Sequence, residues 1–251
     1  MAFPRFLFTR RWIGLLVIAL VVAATCIRLG IWQLDRLSQR RAFNARVEHG
    51  LAAEPVALDT LTGQAGDVYR RVVASGTYDL DHEVLWYGRA LDGSPGSEVL
   101  TPLVGAGGGS AVLVDRGWVP ATLDTPPVAE AAPPEGEVTV TGFLVPAEGA
   151  DVIDRNASGR ILTIRHADPA ALQGAVPYAL FPLALQLQEQ SPAQPADLPA
   201  VVPPPELTEG PHRSYAVQWF TFATIALVGY AVLVRREVRE RAERAPGTEA
   251  G

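Results

Sequence analysis

The sequence predicts an α+β membrane protein in which two transmembrane helices flank an antiparallel, β-rich extracytoplasmic domain. Three observations lead there. Trp12 to Ile27 is free of charge, Tyr215 to Val234 is free of charge, and between them short β-branched and aromatic segments alternate with turn residues. The plan that follows has a cytoplasmic N-terminus at 1–11 and a transmembrane helix at 12–34. A β-rich domain at 35–190 begins with a helical stalk and leads through a proline-rich linker at 191–214 to a second transmembrane helix at 215–234 and a cytoplasmic tail at 235–251.

The first apolar run reaches membrane length only by continuing past Arg28 to Leu34, so Arg28 must extend its stem to the headgroups from near the helix end. The basic start and apolar core also fit a cleavable signal peptide. A lipoprotein signal fits poorly, because Thr25 precedes Cys26 where Gly, Ala or Ser is usual. Leu34, Leu37, Arg41 and Ala45 then keep helical spacing, which carries the helix into a polar stalk reaching about Glu48, with Gly50 as its stop.

Beyond the stalk, strand signals cover Tyr69 to Tyr78, Glu83 to Arg89, Glu98 to Val104, Ala111 to Asp115, Val138 to Val145, Ile161 to Arg165 and Tyr178 to Leu187. They predict a twisted antiparallel sheet or partial barrel of six or seven strands. Gly105 to Ser110 reads as a hairpin turn, since neither a helix pattern nor the Lys-Ser/Thr pair of a phosphate loop follows it. Asp168 with Pro169 starts a brief helix to about Gln173. Val72 to Gly76 and Val138 to Gly142 resemble each other, as a weak repeat or simply as two strands. Ser191 to Pro211 carries seven prolines and predicts an extended linker.

The second apolar run is twenty residues long, enough at ~1.5 Å per residue to cover a hydrocarbon layer of ~30 Å. Tyr215 and Trp219 sit at one end and Tyr230 near the other, as an aromatic belt does. Five arginines follow this run and only Arg213 immediately precedes it, which places the C-terminus in the cytoplasm. Two spans then put both termini there. Gln218 lies one turn into the span, where an amide is costly unless it finds a partner: Trp32 or Gln33 at the matching end of the first span, or a group on another protein.

Charge and composition exclude several functions. The formal net charge is −6; setting aside the three arginines before the first span and the five arginines and four glutamates after the second leaves 13 basic and 23 acidic residues, a net of −10. Such a surface repels nucleic acid. Cys26 is the single cysteine and Met1 the single methionine, so the chain has no disulfide and no soft ligand set for copper. No paired His and carboxylate, nucleophile elbow or zinc spacing points to an enzyme.

Four segments resemble the surfeit locus protein 1 family, in the family's order. They are Leu29 to Arg36 followed by Arg40, where the family tends to have Lys; Tyr69 to Val72 with Gly76 and Tyr78; Val99 to Leu103 with Val112 to Pro120; and His212 with Ser214 to Phe220. Asp115 stands where the family usually has Asn, and Gly210-Pro211 replaces a polar pair before the histidine.

The resemblance implies a bacterial cell-membrane factor that assists assembly of a haem-copper cytochrome c oxidase by helping haem reach the catalytic subunit. Oxidase subunits and the lipid bilayer would be its partners, and transiently bound haem its one cofactor. A permanent accessory subunit of the oxidase is the alternative. By the same resemblance His212 is a candidate haem ligand, its bland counterpart being an interfacial histidine with no ligand. Arg116 and Arg36 are candidates for haem propionates. Arg116 could also meet an acidic partner surface, but its plainer reading is a strand-end turn with Trp118 packed beneath it, and lipid headgroups are the simplest partners of Arg36 and Arg40. Trp32, Gln33, Tyr215, Gln218 and Trp219 are the expected membrane and partner contacts. His49, His82 and His166 are read as ordinary surface or strand residues.

Overall fold

The computed structural model describes residues 5–105, 107–147, 149 and 151–244; the ends of the predicted cytoplasmic segments lie outside the described residues. Two compact units emerge, one comprising Met1–Ala45 with Leu207–Gly251 and the other Arg46–Glu206.

The first unit is a helix pair. Helix α1 (Arg10–Ala52) joins predicted span and stalk without a break, although its residues beyond Ala45 belong to the second unit, and helix α2 (His212–Arg244) contains the second apolar run. Both are long and apolar enough to cross a membrane. Along α1 the buried positions Ala23, Cys26, Gly30, Gln33 and Leu37 lie three and four apart, which makes a narrow seam of the coiled-coil kind; Trp12 and Val47 are buried as well. Small residues let the backbones approach: a Cβ on Gly30 would come within 2.8 Å of the Phe220 ring, and Ala216 and Ala223 are buried opposite. Outside the seam many apolar side chains are exposed, Val217 by 62% and Ile18 and Ile225 by 60%, unlike the helix of a soluble core. Helix α2 runs past Val234 because Arg236 with Glu240 and Arg241 with Glu237 pair across single turns.

The second unit contains ten strands among the described residues: β1 (Val56–Ala57), β2 (Arg71–Tyr78), β3 (Val84–Leu91), β4 (Ser94–Val104), β5 (Ser110–Pro120), β6 (Glu137–Val145), β7 (Val152–Arg155), β8 (Ile161–Ile164), β9 (Ala179–Leu180) and β10 (Ala184–Ser191). Their order is β1-β2-β6-β10-β5-β4-β3-β8-β7, with β9 beside β5. An additional pairing of β2 with β4, Thr77 opposite Val104, closes β2, β6, β10, β5 and β4 into a five-stranded barrel. The partial barrel of the sequence reading is therefore present. Its purely antiparallel character is corrected, because β1–β2, β10–β5, β3–β8 and β5–β9 are parallel.

The two look-alike segments explain how the barrel curls. Strands β2 and β6 are antiparallel neighbours, with Val72 opposite Gly142 and Gly76 opposite Val138. A Cβ on Gly76 would strike the Val104 carbonyl of β4, and one on Gly142 the Gln186 carbonyl of β10. Each glycine thus sits where a further strand comes too close for any side chain. Alternation divides the core: Val112, Val114, Val138, Val140 and Leu144 join one cluster, while Ala111, Leu113, Phe143 and Val145 join the other.

Other boundaries move for local reasons. Gly50 does not stop α1; it stays within the helix because the Tyr69 carbonyl packs where its Cβ would be. The predicted strand Tyr178 to Leu187 divides into β9 and β10 on either side of Pro182. The brief helix after Asp168 is a single turn, Pro169–Ala171, and Asp168 accepts from the Ala170 N–H. The predicted linker begins inside β10 and packs onto the barrel, Ala200 and Trp118 exchanging both backbone hydrogen bonds at 2.8 Å.

Candidate functional site

Helix α2 begins at His212 because Gly210 turns the chain with a positive φ of 66° and Pro211 has its φ set for a first helical turn. The turn is pinned to α1 within the first unit. Arg40 Nε and Asn44 Nδ2 donate to the Thr208 carbonyl at 3.0 and 3.1 Å, and Arg41 grips the Glu209 carboxylate through Nε and Nη2 at 2.7 and 2.9 Å. That bond holds Glu209 below the usual carboxylate range.

His212 is half-buried and its Nδ1 lies 2.8 Å from Oε1 of Gln33, an amide 9% exposed in the α1 seam. An amide oxygen only accepts, so Nδ1 donates and Nε2 of the neutral ring keeps its lone pair. Gly210 packs beside that edge; a Cβ there would lie 3.6 Å from Nε2, in ordinary van der Waals contact. Gln33 therefore has a partner, but the partner is His212 rather than Gln218, which is exposed on α2. Trp32 and Tyr215 are 44% and 47% exposed, whereas Trp219 packs against Ala23, Cys26 and Ala223. Arg36 is exposed, with Nη1 donating to Gln39 at 3.0 Å and the guanidinium 5.6 Å from the Trp32 ring centroid.

Arg116 requires a correction. It lies within β5, not at a strand-end turn, and its side chain is fully buried, so it presents nothing to a propionate or a partner surface. Its Nη1 meets Glu83 Oε2 at 3.3 Å, and Nη2 donates to the Ala131 carbonyl and to Gln194 Oε1 at 2.5 and 3.2 Å. Glu83 also accepts from Thr101 and from the Val128 N–H. This network joins β3, β4, β5 and the segments around Ala131 and Gln194, and its role is internal.

A second buried acid group adjoins β5. Asp115 accepts from the Gly117 N–H at 3.1 Å through Oδ1, while Oδ2 receives no donor and interacts with the Glu98 carboxyl. Burial first, and then the charge of Glu98, raise the pKa of Asp115 well above the ordinary value. A proton on Oδ2 lets Asp115 donate to the Glu98 carboxyl and satisfies both groups. A group whose folded pKa is raised stabilises fully below its unfolded value of ~3.9, and that stability is lost as pH rises toward the folded value. Asp115→Asn is therefore expected to match the wild type at acid pH and to exceed it increasingly above that range. Urea titrations across pH check this, and parallel pH profiles for the two proteins would contradict it.

Among the other histidines, His49 is exposed on α1 and His166 is half-buried after β8. His82 differs from its reading as an ordinary residue. Its Nδ1 and the Tyr178 hydroxyl both reach Asp79 Oδ2 at 2.7 Å. Burial alone would raise the Asp79 pKa, but these hydrogen bonds outweigh it and hold the carboxyl below its usual value. No group of three or more metal-binding side chains occurs among the described residues.

Comparison with known proteins adds the family. Residues 20–224 match the SURF1 family. A SURF1-like protein of Mycobacterium bovis is 33% identical over 98% of this chain and 92% of its own length. One of Monosiga brevicollis is 28% identical over 95% and 94%, and surfeit locus protein 1 of Homo sapiens is 27% identical over 51% and 48%.

Proposed function

The chain belongs to the SURF1 family, and from that membership we propose that it is an assembly factor for a haem-copper cytochrome c oxidase, aiding haem on its way to the catalytic subunit. The observation that carries the haem part is the 2.8 Å bond from His212 Nδ1 to Gln33, which leaves the Nε2 lone pair of the neutral ring for a ligand role. When bound, haem supplies an iron that accepts such a nitrogen and a macrocycle that leaves water for apolar surroundings. Arg36 and Arg213, exposed near the same end of the helix pair, suit its carboxylates. His212 would orient the group, Gln33 would fix the imidazole, and the pinned turn would hold both. No chemistry beyond binding and release is required of the chain.

By its two apolar helices we place the chain in a membrane, here a bacterial cell membrane, and by the arginines that follow Val234 we place both termini in the cytoplasm and the segment between the helices outside. A reporter fused after Gly251 should be active only in the cytoplasm, and one inserted in the Ser191 to Pro211 segment only outside. Cytoplasmic activity at the inserted position would sink the two-span arrangement.

Deletion of the gene tests the function itself. Cytochrome c oxidase content and activity are expected to fall, without change in respiratory enzymes of unrelated type. Unchanged oxidase would reject the assembly role. The accessory-subunit reading is separated by stoichiometry, since a permanent subunit copurifies one-to-one with mature oxidase and an assembly factor does not.

A further inference from the structure

The barrel unit holds a pocket that the assembly reading does not use. It has a volume of ≈ 260 Å³, and its walls include Tyr69, Trp86, Arg89, Phe143, His166 and the extended chain at Val202 and Pro203. Three local departures from regular structure build it. Strand β3 carries a bulge in which Gly88, at φ 79°, is the extra residue between Tyr87, opposite Ser97, and Arg89, opposite Gly96. Regular alternation would put Trp86 and Arg89 on opposite faces; the bulge puts them on one, with the guanidinium stacked 4.1 Å from the indole centroid. Tyr69, a bulky residue, is held at φ 65°, a conformation costing on the order of 1–3 kcal/mol that surrounding structure must maintain. Its N–H donates to the Leu144 carbonyl at 2.7 Å, and its ring lies 6.4 Å from that of Phe143. Finally, Gln186 and Gln188 both donate to the Val202 carbonyl, at 3.0 and 3.2 Å, fixing the proline segment as a wall.

The chemistry inside is one-sided. Arg89 donates Nε to Glu98 at 2.8 Å, which anchors the guanidinium on a carboxyl only 2% exposed, and its two Nη nitrogens make no hydrogen bond among the described residues. Among the described residues no Asp or Glu lines the pocket, although the segment between the spans is acidic. We propose that this pocket binds a small planar carboxylate, its ring against the aromatic wall and its anionic edge on the Nη fork of Arg89. The volume limits the ligand to about one aromatic ring. It falls below the ~300–1,000 Å³ of drug-sized ligands, so a porphyrin does not fit. The site is independent of His212.

Equilibrium dialysis of radiolabelled benzoate against the detergent-solubilised full chain, with protein-free micelles as baseline, tests the proposal. Saturable binding near one equivalent per chain is expected, with benzamide a poor competitor because it lacks the charge. Arg89→Lys, which keeps a cation for Glu98 but loses the fork, should weaken binding on the order of tenfold or more. Trp86→Leu should weaken it too, and Arg155→Lys should not. Binding no greater than that of micelles, equal competition by benzamide, or undiminished binding in folded Arg89→Lys would each overturn the proposal. His212→Ala should bind benzoate as the wild type does, so this site and the haem reading stand or fall separately.

Discussion

Arg116→Ala is expected to bring the barrel close to unfolding. The arginine is the largest fully buried side chain of the unit, and its removal leaves the Glu83 carboxyl, 1% exposed, with Thr101 and the Val128 N–H as its remaining donors among the described residues. Breaking a buried pair from one side costs about 3–5 kcal/mol, against a total stability of roughly 5–15 kcal/mol for a domain. The loss is thus about a fifth of the stability at least, and about all of it for a domain at the low end of that range. Burial already raises the Glu83 pKa with Arg116 beside it, so in the variant Glu83 should take up a proton more readily and part of the loss should be recovered at acid pH. Urea unfolding of the solubilised chain measures this. The double substitution Arg116→Met with Glu83→Gln should be less damaging than Arg116→Ala alone, because it leaves no orphan charge. A single variant within 1 kcal/mol of the wild type would show that the network carries little.

His212→Ala is expected to remove nearly all haem association, whereas His49→Ala, His82→Ala and His166→Ala leave it in place. Among the four histidines, His212 is the one at the start of α2, with Nδ1 engaged by an almost buried amide and Nε2 left open. His49 is exposed on α1, while His82 directs Nδ1 to Asp79 in the barrel. The substitution takes away no large apolar contact, so insertion and folding should survive. Haem titration of each variant, followed in the Soret region, gives the comparison. Equal binding by His212→Ala and wild type would return His212 to an interfacial histidine, and assembly would then have to proceed through protein contacts alone.

What could be read in the sequence was what a short window determines. The apolar runs ending at Leu34 and Val234 declared the helices by length, and the short apolar run Ala111 to Val114 after the glycine-rich turn declared a strand. The barrel closure could not be read, since Thr77 opposite Val104 and Leu185 opposite Val114 are long-range register choices. Arg116 was misjudged because a charge between Asp115 and Gly117 looks exposed; its partners Glu83, Ala131 and Gln194 are distant in sequence. Gln33 and His212 lie 179 residues apart, yet one local signal for Gln33 existed. It is the polar member of the seam Ala23, Cys26, Gly30, Gln33 and Leu37, a place where an amide needs a reason. The bulge at Gly88 had no sequence mark beyond the glycine itself.

The central claim, that this member of the SURF1 family handles haem at His212, is tested most directly by the absorption spectrum of the full chain purified in detergent from haem-proficient cells. The account predicts a Soret band in the wild-type protein that is lost in folded His212→Ala. A wild-type protein with no haem absorption, or a band unchanged by the substitution, would contradict it.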